Sequence, residues 1–127
     1  RTRSVPTLRL WGRALARLKV DAEAHAVWTM LSQQDFLHAG AEEADLRDVV
    51  EELIASTPDA RTVALIYETA EREIVAVVRA ERPADALALT AALGPKGTRE
   101  EARIAFPGKT IVQAEREIVA CLTKKPA

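Results

Sequence analysis

The chain has 127 residues, 48% of them apolar and 29% charged, with a net charge of −1. That length fits one domain able to bury a core without disulfide or metal support. The single cysteine, Cys121, excludes an internal disulfide framework and suits a reducing, cytoplasmic setting, and no apolar run reaches the length of a membrane span.

Aromatic residues make up only 4%, so Leu, Val, Ile and Ala must fill the core. No signal-peptide pattern is present. The first residue is Arg rather than Met, which suggests a chain cut from a longer polypeptide. Charge is unevenly spread. Residues 1–20 carry Arg1, Arg3, Arg9, Arg13, Arg17 and Lys19 and no acid, which leaves −7 for the remainder. Such a basic end is either a solvated helix face or a contact for phosphate or nucleic acid.

Pro6-Thr7 opens a helical pattern in which Leu8, Trp11, Leu15 and Leu18 recur at helix spacing, with Arg9, Arg13 and Arg17 on another face. Two β-capable runs follow, around 18–20 and 26–31, and predict a hairpin. Ser32 is placed to cap a short helix and Gly40 to end it. "ADLRDVVEELIAS" is the clearest helix, with Leu46, Val49, Val50, Leu53 and Ile54 on one stripe; Thr57-Pro58 stops it. "RTVALIYE" and "REIVAVVRA" predict two strands covered on both faces, joined by a tight turn. Pro83 fits the first turn of an alanine-rich helix, and Gly94 fits its left-handed end. "ARIAF" predicts a short strand. Thr110 with Gln113 forms a capping box for a last helix that buries Ile111, Ala114, Ile118, Cys121 and Leu122, with Lys124 and Lys125 at its C-terminus. The whole predicts a single α/β domain, a mixed sheet of about five strands flanked by helices.

Candidate chemistry is sparse. Asp21, Glu23 and His25 alternate and could share one side of a strand, but nothing completes a metal site, and a solvated turn is the better reading. There is no nucleophile elbow, zinc-protease motif or Cys-x-x-Cys pair. "LGPKGTREEAR", residues 93–103, is the remaining candidate. Its backbone N–H groups could face an anion, with Lys96, Arg99 and the Thr98 hydroxyl beside them. Arg79, at the end of the preceding strand, could reach the same place. The loop lacks the complete Walker pattern, and on spacing alone it is a turn.

The arrangement "EIVAVVRAERPADALALTAALGPKGTREEA", preceded by "LRLWGRALARLKV" and "HAVWTMLSQQDFLHAGAEEADLRDVVEELIASTPDARTVALIYE", resembles the C-terminal, DHH-associated domain of DHH-family phosphoesterases. These include RecJ-type exonucleases and the oligoribonuclease and phosphoadenosine-phosphatase group. The resemblance makes residues 1–20 a linker helix from an N-terminal catalytic domain, and 21–127 the substrate-binding domain. It aligns Arg79 with the family's strand-end arginine, with Ala80 where serine is usual. Gly94 and Gly97 fall on the first and last glycines of a Gly-Gly-Gly-His loop. Pro95 and Lys96 replace the glycines between, Thr98 stands where the histidine should be, and Arg103 stands where a final glycine is usual.

By this resemblance Arg79, Gly94, Lys96, Gly97, Thr98 and Arg99 would grip the phosphate of a nucleotide or oligonucleotide. No catalytic residue and no metal or other cofactor is expected on this chain; manganese is implied for the catalytic domain, which would be the partner, alongside a possible homodimer. The alternatives are an interaction or dimerisation module that kept the scaffold and lost the site, and a stand-alone regulator that binds a small anionic nucleotide. Glu100 and Glu101 beside the loop favour the former.

Overall fold

The computed structural model describes residues 2–123. Arg1, Lys124 and Lys125 lie outside the described residues. Helix α1 (Val5–Ala16) leads into a hairpin of β1 (Lys19–Asp21) and β2 (Ala26–Leu31). Then come α2 (Gln33–Ala39), α3 (Leu46–Ser56), β3 (Thr62–Glu68), β4 (Ile74–Ala80), α4 (Ala86–Leu89), β5 (Lys96–Gly97), β6 (Glu101–Ala105) and α5 (Ile111–Leu122). The six strands form one mixed sheet in the order β1-β2-β3-β4-β6-β5. Only β2 and β3 run parallel, and α2 and α3 cross between them, as a parallel connection requires.

The sheet separates two cores. Leu10, Leu31, Phe36, Val49, Leu53 and Leu65 pack on the face covered by α1, α2 and α3. Ala64, Ile66, Val78, Ile104, Ile118 and Leu122 pack on the face covered by α4 and α5. Strand β3 is buried over all but its last residue, because it is covered on both sides. Each fully buried Leu or Ile contributes roughly 1.5–3 kcal/mol from removed apolar surface.

The helix ends follow the local signals. The Ser32 hydroxyl accepts from Asp35 N–H, and Gly40 takes the left-handed conformation at φ 67°. Thr110 and Gln113 form the expected capping box. On α5, Ala114, Ile118 and Leu122 are buried, whereas Ile111 and Cys121 are only partly so.

Three expectations are corrected. The first is the packed stripe of α1. Thr7, Leu10 and Ala14 are buried, whereas Leu8 and Leu15 are exposed. Tertiary partners select that face. The Thr7 hydroxyl donates to Asp45 Oδ1 at 2.7 Å, and the Thr29 hydroxyl donates to the Ala14 carbonyl at 2.6 Å.

The second concerns α4. It is a single turn that starts after Asp85, whose carboxylate accepts from Ala88 N–H at 3.1 Å. Pro83 precedes it in a turn, with a cis Arg82–Pro83 bond, and a 3₁₀ turn at Ala91–Leu93 follows. An aspartate able to bond N3 competes successfully with Pro83 for the start of the helix.

The third concerns the basic N-terminal segment, which is neither free nor merely solvated. Arg3 pairs with Asp48, Glu51 and Glu52. Arg13 and Arg17 both pair with Asp35, and Lys19 pairs with Glu115. Arg9 has no ion pair among the described residues.

Candidate anion-binding face

Strand β4 places Arg79 one residue from its end. Its register partner on β6 is Glu101, and Val77 opposes Arg103. Paired residues project to the same side of a sheet, so Arg79, Glu101, Val77 and Arg103 share one face. Ala102 and Ile104 alternate to the other side and are buried under α4 and α5. On the α1–α3 side the buried core reaches Val75 on β4. The face beyond it borders a cleft of about 540 Å³ lined by Tyr67, Val77, Arg79, Thr98, Glu101 and Arg103, among others. A second cleft, of about 350 Å³, adds Arg61 and Arg82 and shares Arg79 and Glu100 with the first. Arg79 thus stands between the two.

The glycine-rich stretch is more ordered than a loop. Gly94 ends the 3₁₀ turn at φ 65°. Lys96 and Gly97 then form β5, an edge strand paired with Arg103 and Ala102. Gly97 is required here: its φ is 127°, and a Cβ would strike the Glu101 carbonyl. Thr98 N–H donates to that same carbonyl at 2.9 Å. The Thr98 hydroxyl accepts from Glu100 and Glu101 N–H at 3.3 and 3.1 Å, which closes the turn into β6.

Of the six expected site residues, Arg79 and Thr98 line the cleft. Lys96, opposite Arg103, projects to the same face. Gly94 and Gly97 shape the approach. Arg99 does not line the cleft. Its guanidinium turns toward the Ala84 carbonyl at 3.5 Å, and its Nη1 is buried without a hydrogen-bond partner.

Arg103 and Tyr67 are cleft residues that the sequence did not nominate as binding groups. The Arg103 guanidinium lies 5.9 Å from the centre of the Tyr67 ring, within cation–π range, and donates to Glu43 at 3.1 Å. The Tyr67 hydroxyl also donates to Glu43, at 3.1 Å. Burial pushes the Tyr67 phenol up; Arg103 opposes this and Glu43 adds to it, leaving it at about 12. Tyr67 therefore stays neutral and a hydrogen-bond donor at neutral pH. Arg79 sits 3.7 Å from Glu101, and both are partly exposed. Three arginines (Arg47, Arg79, Arg103) and four glutamates (Glu43, Glu51, Glu100, Glu101) line the larger cleft.

The described residues do not fit a manganese site. Among them no three His, Cys, Asp or Glu side chains converge as ligands. Asp21 instead turns inward on its own hairpin and accepts from Ala24 N–H at 3.0 Å. No described helix is long and apolar enough to cross a membrane.

No protein-family model and no curated protein matches this chain. Solved structures do. An exopolyphosphatase-related protein from Bacteroides fragilis superposes with a TM-score of 0.83 at 20% identity, over 97% of this chain and 36% of its own. A pGpG-specific phosphodiesterase, PggH, from Vibrio cholerae gives 0.64 at 15% identity, over 94% and 38%. Exonuclease RecJ bound to manganese gives 0.59 at 17% identity, over 96% and 29%. The chain has the fold of one segment of these proteins. It spans about a third of their length, and at these identities the likeness is one of fold. That fold is the single α/β domain with a mixed sheet expected from the sequence.

Proposed function

We propose that this chain is the substrate-binding, DHH-associated domain of a phosphoesterase. It grips the phosphate of a nucleotide or short oligonucleotide, and hydrolysis with manganese belongs to a separate N-terminal catalytic domain. The observation that carries this reading is the cleft over the sheet face that Arg79, Thr98 and Arg103 line, with Lys96 on the edge strand beside it. It lies on a fold shared with a phosphodiesterase and an exonuclease. Guanidinium groups suit phosphate oxygens because they donate two parallel, charge-assisted hydrogen bonds. Gly94 and Gly97 shape the approach, and Arg99 supports it from behind through its contact with Ala84. The low aromatic content assigns base stacking a minor part.

The test is titration of a 5′-phosphorylated dinucleotide into the chain at low and moderate salt. Affinity falls as salt rises, because phosphate contacts release counterions. Arg79→Ala weakens binding about tenfold, the value of one charge-assisted contact. Absence of binding at low salt rejects the proposal.

A second reading has its own support. Four glutamates outnumber three arginines in the larger cleft, and Val5, Leu8 and Leu15 are exposed on α1. Those features suit an interaction or dimerisation module with a lost site. A tight dimer in sedimentation, without nucleotide binding, would select it.

A further inference from the structure

Helix α1 presents a patterned face to solvent. Val5, Leu8, Gly12 and Leu15 are exposed, and their three-and-four spacing is that of a seam where two helices pair. The opposite face, with Thr7, Leu10 and Ala14, packs into the domain. Arg9, Arg13 and Arg17 run four apart along one flank of the seam, and α1 carries no acid. Arg9 is exposed and has no ion pair among the described residues. Arg13 and Arg17 give one edge to Asp35 and keep 36% and 44% of their side chains exposed. Beside them lies a cleft of about 430 Å³ lined by Arg9, Gly12, Arg13, Ala16, Arg17 and His38, with no carboxylate on its wall among the described residues.

Gly12 is the informative position. Glycine weakens a helix interior, yet a Cβ added here would meet nothing within 4 Å. No neighbour in this domain calls for glycine. A second helix laid along the seam would, because a missing side chain lets two backbones approach closely.

We propose that the outward face of α1 docks an amphipathic helix of a partner protein, with its apolar ridge along Val5, Leu8, Gly12 and Leu15 and its Asp or Glu side chains against Arg9, Arg13 and Arg17. This goes beyond the phosphate-gripping reading and does not rest on it. Charge complementarity selects the occupant. A second copy of α1 would set arginines beside arginines, with no acid on either helix to offset them. A bilayer surface needs a broad apolar face. Here the exposed apolar strip is narrow, has glycine at its middle, and lacks Trp11, which is partly buried against the core.

The experiment is fluorescence-anisotropy titration at low salt with a labelled synthetic peptide of three heptads. It carries Leu at both seam positions and Glu on both flanks, and the Glu flanks keep it from pairing with itself. A control peptide carries Lys in place of every Glu. The proteins are the full chain, Arg9→Glu and Gly12→Leu, each checked by thermal unfolding. Leucine favours helix over glycine, so Gly12→Leu blocks the seam without weakening α1. The expected result is that the Glu peptide binds and the Lys peptide binds at least about fivefold more weakly. Arg9→Glu weakens the Glu peptide about fivefold and strengthens the Lys peptide. Gly12→Leu weakens the Glu peptide about tenfold, as overpacking does. No binding of the Glu peptide overturns the proposal, and so does equal affinity for the two peptides or unchanged affinity in both variants. Sedimentation showing a dimer that Gly12→Leu dissociates assigns the face to a second copy and overturns it. Binding to phosphatidylserine-containing vesicles that Arg9→Glu abolishes assigns the face to a membrane, with the same consequence. Neither variant touches the Arg79 cleft, so the dinucleotide titration above stands or fails separately.

Discussion

Two groups of arginines on this molecule look alike in sequence and differ in what surrounds them. Arg13 and Arg17 on α1 converge on Asp35, whose side chain is 1% exposed. Asp35 also accepts from Ser32 N–H at 2.7 Å and so closes the cap of α2. Arg79 and Arg103 instead meet Glu101 and Glu43, both about half exposed. A buried carboxylate that satisfies two guanidiniums and a helix cap makes a structural clamp, since removing it takes away both ion pairs and the cap together. A solvated glutamate holds an arginine weakly, because water and salt screen the pair. The first arrangement pins α1 to α2. The second leaves guanidiniums that an incoming anion can take over. The richest basic stretch of the sequence is therefore structural, and the more dilute one faces the cleft.

This contrast can be broken from either end. The largest effect is expected from Asp35→Ala, which removes both ion pairs and the α2 cap. It should cost about 3 kcal/mol, read from denaturant unfolding. A cost below about 1 kcal/mol would place Asp35 among ordinary surface pairs.

Acid titration probes the same clamp without mutation. Burial raises the Asp35 pKa, but hydrogen bonds from Arg17, Arg13 and Ser32 outweigh it and hold the carboxyl at about 2, below its ordinary 3.8. A depressed folded pKa means that the stabilisation is complete above about pH 4. It is lost as pH falls through about 2, and amounts to roughly 2 kcal/mol. Unfolding followed against pH should show this loss in the wild type and not in Asp35→Ala.

The smallest effect on stability is expected on the other side of the comparison. Glu101→Gln should change stability by less than about 0.5 kcal/mol, because its pair is exposed. It should raise affinity for a phosphorylated dinucleotide by a few fold, since Arg79 loses a competitor. A clear loss of stability there would mean that Arg79 is a clamp as well, and the distinction would fail.

The parts of the fold that were legible are those written in short segments. Ser32 and Gly40 bound α2, Thr110 opens α5, and the Val- and Ile-rich runs became β3 and β4. Arg79 was placed at its strand end for the same reason. Other features were not legible. The packed face of α1 differs from its longest apolar stripe because Asp45, just before α3, and Thr29 on β2 supply partners for Thr7 and Ala14. Lys96 and Gly97 carry no strand signal, and they become β5 only because β6 offers a ladder beside them. Arg99 looked equivalent to Lys96, yet the turn sends it toward Ala84 and away from the cleft.

The sequence by itself determined the order and type of most elements, the caps, and the left-handed end at Gly94, because these depend on contacts within about four residues. Tertiary structure alone decided which charges are neutralised and which remain on a face. Arg13 and Asp35 are 22 residues apart, and Arg103 and Glu43 are 60 apart. Strand register puts Lys96, Arg103 and Arg79 on one sheet face, and register depends on pairing across the sheet, which no local pattern encodes.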